Sequence, residues 1–167
     1  RSKIKEMVGA TSETEVCFTQ NCTHAINVVL SGILNSRDHV IISSLEHNAV
    51  LRPLNYLKLR NNLEFDVAQV DDTDDELTVR RIEKLINKNT KLVLLTAASN
   101  VTGKRLPLRS VGELCRRNGI MFAVDGAQGV GVLPIDMNVM NIDFLCIAPH
   151  KGLYAPMGVG VLVARKN

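Results

Sequence analysis

Short apolar runs alternate with amphipathic stretches along the chain. The runs predict strands at Val16–Thr19, His39–Ser43, Leu63–Val70, Lys91–Ala97, Ile120–Val124, Asp143–Ile147 and Val159–Ala164. Most lack a strict period of two, which is typical of strands covered on both faces. Polar residues interrupt Leu63–Val70, so we expect that strand to lie nearer an edge of the sheet.

Apolar residues at helical spacing fill the intervals between these strands. They predict helices at Thr23–Leu34, Asn48–Arg60, Thr78–Asn87 and Leu108–Asn118. Pro53 is compatible with its helix only near the first turn. The acidic stretch Asp71–Glu76 is interpreted as a surface turn that leads into a helix. Strands that alternate with helices predict an α/β domain with a mainly parallel sheet.

The length and the charge of the chain argue against several classes of function. A chain of 167 residues suffices for one domain but is short for a two-domain enzyme. The formal net charge of +3, without a basic stripe, argues against a nucleic-acid partner. The apolar runs are far too short to span a bilayer, so no membrane association is expected.

The chain has four cysteines, none in a Cys-x-x-Cys spacing, so neither a disulfide framework nor a metal site is expected. Cys17 and Cys146 lie in apolar runs and are predicted to be buried thiols. A reducing cytoplasm is the compartment that suits such thiols.

The two ends of the chain suggest a fragment of a longer enzyme. Ile4–Val8 has the pattern of a helix already under way, and Val159–Ala164 is a strand with almost nothing after it.

Polar side chains follow five of the predicted strands. Ligands of open α/β sheets bind beyond the carboxyl ends of the strands. The residues at these positions are Asn21-Cys22-Thr23, Glu46-His47-Asn48, Ser99-Asn100, Asp125-Gly126-Ala127-Gln128 and His150-Lys151. Neither a Walker P-loop nor a dinucleotide fingerprint is present among them. Together, their hydroxyl, imidazole, amide, carboxylate and amine groups suit a phosphorylated aromatic aldehyde.

Each of these residues has a structural and a functional interpretation. Lys151 either extends to solvent or, once partly desolvated, forms a Schiff base through its amine. Asp125 is either a turn residue or the anion that keeps a pyridine nitrogen protonated. Gln128, three residues further on, is placed to hydrogen-bond a phenolic oxygen of the same ring.

The remaining candidates divide in the same way. His47 is either a structural residue or a flat acid–base group that stacks on an aromatic ring. Thr23 either simply caps the helix that follows or, with Cys22, belongs to a helix N-terminus that binds phosphate. His150 is a candidate for one further phosphate contact.

Five motifs in this order resemble the class V aminotransferase family, and within it most closely the cysteine desulfurase group. They are Phe18–Thr23, Leu45–Val50, Ser99–Gly103, Val124–Gln128 and His150–Tyr154, and the resemblance covers essentially the whole chain. It implies the large domain of the fold-type I pyridoxal-phosphate enzymes, a three-layer αβα sandwich with a mostly parallel sheet of about seven strands. Residues 1–167 would form this domain, with an N-terminal segment and a C-terminal small domain missing.

The resemblance also implies roles at the site, with pyridoxal 5'-phosphate as cofactor and no metal. Lys151 would form the Schiff base, and His47 would stack on the ring and assist proton transfer. Asp125 would pair with the pyridinium nitrogen. The other cofactor-binding residues would be Gln128 and Asn100 at the phenolic oxygen, and Thr23, His150 and the backbone near Cys22 at the phosphate.

The implied reaction removes sulfur from L-cysteine to give L-alanine and an enzyme persulfide. The implied partners are a second copy of the chain in a homodimer and a sulfur-acceptor protein. The sulfur-accepting cysteine and the substrate-binding arginine of relatives would lie beyond Asn167, so we expect this segment alone to be inactive.

Two departures from the family pattern bear on the cofactor. Ala148 and Pro149 stand where relatives usually carry Ser or Gly, which removes a hydroxyl at the phosphate, and Cys22 stands where relatives often have Ala or Thr. Alternatives therefore stay open: a selenocysteine lyase, an amino-acid transaminase, an epimerase, or a non-catalytic protein that binds the cofactor or a partner.

Overall fold

The computed structural model describes residues 1–11 and 15–165. Strands are β1 (Val16–Thr19), β2 (His39–Ser43), β3 (Glu64–Ala68), β4 (Thr90–Thr96), β5 (Met121–Asp125), β6 (Phe144–Ile147) and β7 (Gly160–Ala164). Helices are α1 (Ser2–Met7), α2 (Cys22–Ile33), α3 (Asn48–Asn61), α4 (Asp75–Leu85) and α5 (Leu108–Asn118).

The strands form one seven-stranded sheet in the order β1-β7-β6-β5-β4-β2-β3. The five strands from β6 to β3 pair in parallel, and β7 is antiparallel to both of its neighbours. The predicted mainly parallel sheet is therefore confirmed. The polar-interrupted strand β3 lies at one edge, as its sequence pattern indicated.

Two hydrophobic cores, one on each face, make the molecule a three-layer αβα sandwich. Along β4, Leu92 and Leu94 pack with α2 and α3, whereas Val93 and Leu95 pack on the opposite face with α4 and α5. Residues on both faces of β2 and β4 are buried, which explains why these strands are nearly continuous apolar runs. Among the described helices, none combines the length and the apolar character that crossing a membrane requires.

Two local predictions differ from the structure. Helix α4 begins at Asp75, three residues earlier than predicted, because the Asp74 carboxylate accepts a hydrogen bond from the Leu77 amide at 2.8 Å. The end of the acidic stretch therefore belongs to a helix rather than to a turn. Pro53 lies six residues into α3, beyond the first turn, and the helix continues past it.

The prediction of a buried Cys17 is wrong, whereas Cys146 is buried as expected. Cys17 lies on β1, an edge strand, where it and Phe18 are both exposed. An apolar run at the edge of a sheet is covered less completely than the same run in the centre.

The carboxyl ends of β1, β2, β4, β5 and β6 reach the same edge of the sheet. The helix after β2 packs on one face and the helix after β4 packs on the other. The connections after these two adjacent strands therefore diverge, which makes the gap between them a topological switch point.

Candidate active site

A cleft of about 160 Å³ opens at this edge, and it brings together all eight candidates. They are Cys22, Thr23, His47, Asn100, Asp125, Gln128, His150 and Lys151. Asn21, Ile26, Ala49, Thr96, Ala98, Ala127 and Ala148 complete the lining. Residues separated by more than a hundred positions thus meet because their strands end side by side.

Asp125 is the last residue of β5, and its side chain is buried. Its Oδ1 accepts a hydrogen bond from the Ala127 amide at 3.0 Å, and the Cys22 thiol lies 3.4 Å from the same oxygen. The turn that follows needs a glycine, because a Cβ on Gly126 would lie 2.8 Å from Val130 Cγ2. The carboxylate is therefore fixed by its own turn and by the start of α2.

The Cys22 thiol is buried beside this carboxylate. Burial raises the pKa of Cys22 well above its usual value, and the negative charge of Asp125 raises it further. The thiol therefore stays protonated and donates its hydrogen bond to Asp125. A thiol held in this state is a poor nucleophile.

The N-terminus of α2 lines the cleft with Cys22 and Thr23. Asn21, and not Thr23, is the N-cap: its Oδ1 accepts from the His24 amide at 2.8 Å. The amides of Cys22 and Thr23 precede the first helical hydrogen bond and have no acceptor within the helix. Gly160 of β7 permits the close approach of this turn, because a Cβ there would collide with the Asn21 backbone.

His150 and Lys151 follow β6 in a turn closed by the Lys151 amide and the Ala148 carbonyl at 3.0 Å. Nδ1 of His150 is buried and has no hydrogen-bond partner among the described residues. Lys151 itself is exposed. The described residues therefore do not supply the desolvation that the sequence argument expected for its amine.

His47 is both a lining residue and the N-cap of α3. Its Nδ1 accepts a hydrogen bond from the Ala49 amide at 3.0 Å. A ring nitrogen that accepts a hydrogen bond carries no proton, so in the neutral ring the proton is on Nε2. The cap thus fixes the tautomer, and Nε2–H is the group available to a ligand.

Asn100 and Gln128 contribute two side-chain amides to the lining, in addition to that of the N-cap Asn21. Asn100 is exposed, in a turn held by the Ser99 hydroxyl, which accepts from the Val101 amide at 3.2 Å. Gln128 is half-buried in the turn after β5. Both amides therefore face the cleft from short, hydrogen-bonded turns.

Sequence reasoning missed two residues. From the sequence, Asn21 was grouped with Cys22 and Thr23 but was not predicted to cap the helix, and Glu46 was given no role. Glu46 Oε1 accepts from the Thr96 amide at 2.8 Å and from the Ser43 hydroxyl. The sequence shows that an Asn or a Glu follows a strand. It does not show which backbone amide the side-chain oxygen will contact in the fold.

Curated relatives match over the full chain. A probable mitochondrial cysteine desulfurase of Dictyostelium discoideum is 34% identical over 172 aligned positions, covering 100% of this chain and 37% of the relative. A probable cysteine desulfurase of Chlamydia trachomatis is 36% identical, with 100% and 42% covered. The chain thus spans about two fifths of the length of these relatives.

Solved structures show the same fold. The apo structure of a cysteine desulfurase from Thermococcus onnurineus matches with a TM-score of 0.89 at 30% identity, covering 99% of this chain and 41% of that one. The cysteine desulfurase CsdA from Escherichia coli matches with a TM-score of 0.88 at 27% identity, covering 98% and 42%. These matches support the fold expected from the resemblance.

The family model for aminotransferase class-V matches residues 1–167. The order of the strands, the cleft at their carboxyl ends and the identity to relatives agree with that match. The chain belongs to the aminotransferase class-V family, whose cofactor is pyridoxal phosphate.

Proposed function

We propose that residues 1–167 form the cofactor-binding domain of a pyridoxal-phosphate-dependent cysteine desulfurase. The observation that carries the proposal is the single cleft that joins an amine, a buried carboxylate and a helix N-terminus. These three groups match the aldehyde, the pyridine nitrogen and the phosphate of one small molecule.

One end of the cleft suits a phosphate. The free amides of Cys22 and Thr23 and the positive end of the α2 dipole favour an anion. The unpartnered Nδ1 of His150 is a further donor when it is protonated. Ala148 contributes only a methyl group to the lining, so we expect weaker binding than a serine there would give.

The other end suits the ring. Asp125 would hold a proton on the pyridine nitrogen, and Lys151 would hold the cofactor covalently through Nζ. Bound in this way, pyridoxal phosphate supplies an electron sink for bonds at the substrate's α-carbon.

The polar groups at the rim would orient ligands and carry protons. His47 would stack on the ring and present Nε2–H as its proton-bearing atom, since Nδ1 is engaged by Ala49. Gln128 and Asn100 would hydrogen-bond the phenolic oxygen, and Asn100 would also face the substrate.

Cysteine is the proposed substrate because the matched relatives are named cysteine desulfurases at 34–36% identity. The proposed products are alanine and an enzyme persulfide. We also propose a homodimer, transfer of sulfur to an acceptor protein, and a cytoplasmic location. Size-exclusion chromatography with light scattering tests the homodimer. Cell fractionation tests the cytoplasmic location, which needs a test because one matched relative is named as mitochondrial.

The test of this function is turnover by the natural protein that contains this sequence. We expect it to convert L-cysteine to equimolar alanine and sulfide when a thiol reductant is present. Lys151→Ala should lower the rate to that of free cofactor, whereas Lys84→Ala, at an exposed site on α4, should leave it unchanged. Turnover of selenocysteine, but not of cysteine, would refute the proposed substrate. Equal rates for the two variants would refute the role of Lys151.

A further inference from the structure

Glu46 occupies the switch point between β2 and β4. Its Oε1 accepts hydrogen bonds from the Ser43 hydroxyl at the end of β2 and from the Thr96 amide at the end of β4. One side chain thus ties the loop that carries His47 to both strands. Thr96 lines the cleft and pairs in register with Asp125 of β5. The two hydrogen bonds of Glu46, which we call the tie, therefore include a residue that lines the site.

The second carboxyl oxygen of Glu46 is buried and has no partner among the described residues. An unpaired carboxylate oxygen in such a place carries a large desolvation cost, which a neutral carboxyl group largely avoids. Burial raises the pKa of Glu46 to about 8, and the negative charge of Asp125 adds to the rise. The hydrogen bonds from Ser43 and Thr96 oppose it.

Among the groups around the Glu46 carboxyl, Asp125 is the one whose negative charge acts on it. Asp125 faces it from β5, and Ser43 and Thr96 offer neutral donors from β2 and β4. His47, the next residue, uses Nδ1 to accept a hydrogen bond from the Ala49 amide at the start of α3. With its pKa raised to about 8, Glu46 is therefore mostly protonated at neutral pH.

We propose that Glu46 is a positioning residue of this site, a neutral carboxylic acid that holds the His47 loop against the ends of β2 and β4. It acts on the cofactor through His47 and Thr96 and leaves Asp125 as the buried anion of the cleft. The role toward the cofactor rests on the proposed function, whereas the tie itself belongs to the chain alone.

The proposal fixes the sign of a pH effect. Because its pKa is about 8 in the folded site, Glu46 keeps its proton up to about pH 8. In an opened site the pKa returns to its ordinary value of 4.5, so the proton is released above that pH. Opening of the site therefore releases a proton. The equilibrium constant for opening rises with pH between these two values, by up to about tenfold per pH unit. Glu46→Gln keeps a neutral acceptor at Oε1 and removes this dependence.

Amide hydrogen exchange of the cofactor-free protein tests the tie. The Thr96 amide reports the contact to Glu46, and the Ala49 amide reports the position of His47. From about pH 6 to about pH 7, we expect opening in the wild type relative to Glu46→Gln to rise about tenfold at both amides. The Leu77 amide, capped by Asp74 in α4, should show no such rise. Glu83→Gln, at an exposed carboxylate, should behave like the wild type.

Cofactor affinity tests the consequence for the site. At pH 7 we expect Glu46→Ala, which lacks both hydrogen bonds, to raise the Kd for pyridoxal phosphate by about tenfold. Glu46→Gln should stay within about threefold of the wild type. Nitrogen-15 shifts of the His47 ring should keep the wild-type tautomer in Glu46→Gln and lose it in Glu46→Ala.

Three results would overturn the inference: equal pH dependence in the wild type and Glu46→Gln, an equal rise at Leu77, or unchanged affinity and His47 shifts in Glu46→Ala. If the wild type bound no cofactor, the proposed function would fail. The exchange data would still decide whether Glu46 holds the loop.

Discussion

Asp125 is the residue whose charge the proposed chemistry depends on most. Replacing it with asparagine keeps the shape and the acceptor for the Ala127 amide but removes the anion. We expect Asp125→Asn in the whole protein to retain the cofactor and to lose turnover by at least about a hundredfold, because an amide does not keep the pyridine nitrogen protonated. Absorbance of the bound cofactor and the rate of alanine formation measure the two effects.

Cys22→Ala is the matched control for that variant. It removes the thiol that donates to Asp125 but leaves the carboxylate in place. We expect a loss of less than about tenfold in turnover, the size of one weak hydrogen bond. Turnover of Asp125→Asn equal to that of Cys22→Ala would remove Asp125 from the proposed role.

At the residue scale, the sequence predicts which residues meet but not how they are bonded. Lys151, Asp125 and His47 were found because polar residues after strands converge at one edge of an α/β sheet. The cap of α2 was assigned to Thr23 and belongs to Asn21, and Glu46 was missed. Both depend on which backbone amide lies within reach of an oxygen, and tertiary contacts decide that.

Helix α2 contributes its first turn to the cleft. We therefore expect a change at its N-cap to affect both the free energy of unfolding and the binding of a phosphate. Asn21→Ala should lower the free energy of unfolding by about 1 kcal/mol and also weaken binding of pyridoxal phosphate, because the first turn frays where the phosphate would bind. Denaturant unfolding and cofactor titration measure the two effects.

Asp74→Ala, which removes the cap of α4, is the control for that variant. It should cost a similar free energy of unfolding, about 1 kcal/mol, and leave cofactor affinity unchanged, since α4 packs on the opposite face of the sheet. Equal losses of affinity in the two variants would indicate a general effect of stability and not a phosphate site at α2.

At the element scale, the central strands were the most predictable. β2 was predicted with its exact bounds, and β4 and β5 within one residue at each end, because strands buried on both faces are long apolar runs bounded by polar residues. The start of α4 was predicted three residues late, since a capping carboxylate extends a helix into a stretch that looks like a polar turn.

At the scale of the whole molecule, the parallel sheet followed from the alternation of elements, but the strand order did not. The two antiparallel pairings of β7 depend on the long return of the chain after Lys151, which leaves no period in the sequence. The edge position of β1 likewise depends on that return. This is why Cys17, apolar in its sequence context, proved to be exposed.

The cleft is a property of this whole arrangement. Its residues come from the ends of five strands and from two helix N-termini on the same face. The chain belongs to the aminotransferase class-V family, and the cleft is the place where we propose that the family's cofactor binds. The matched relatives are more than twice as long as this chain. We propose that Lys151 is the residue of the chain that holds the cofactor.

Borohydride reduction followed by peptide mapping tests that claim most directly. The protein is incubated with pyridoxal phosphate, reduced and digested, and the modified lysine is located by mass spectrometry. We expect the label on Lys151, its loss in Lys151→Ala and its retention in Lys84→Ala. Label on another lysine of the wild-type protein, or none at saturating cofactor, would contradict the account.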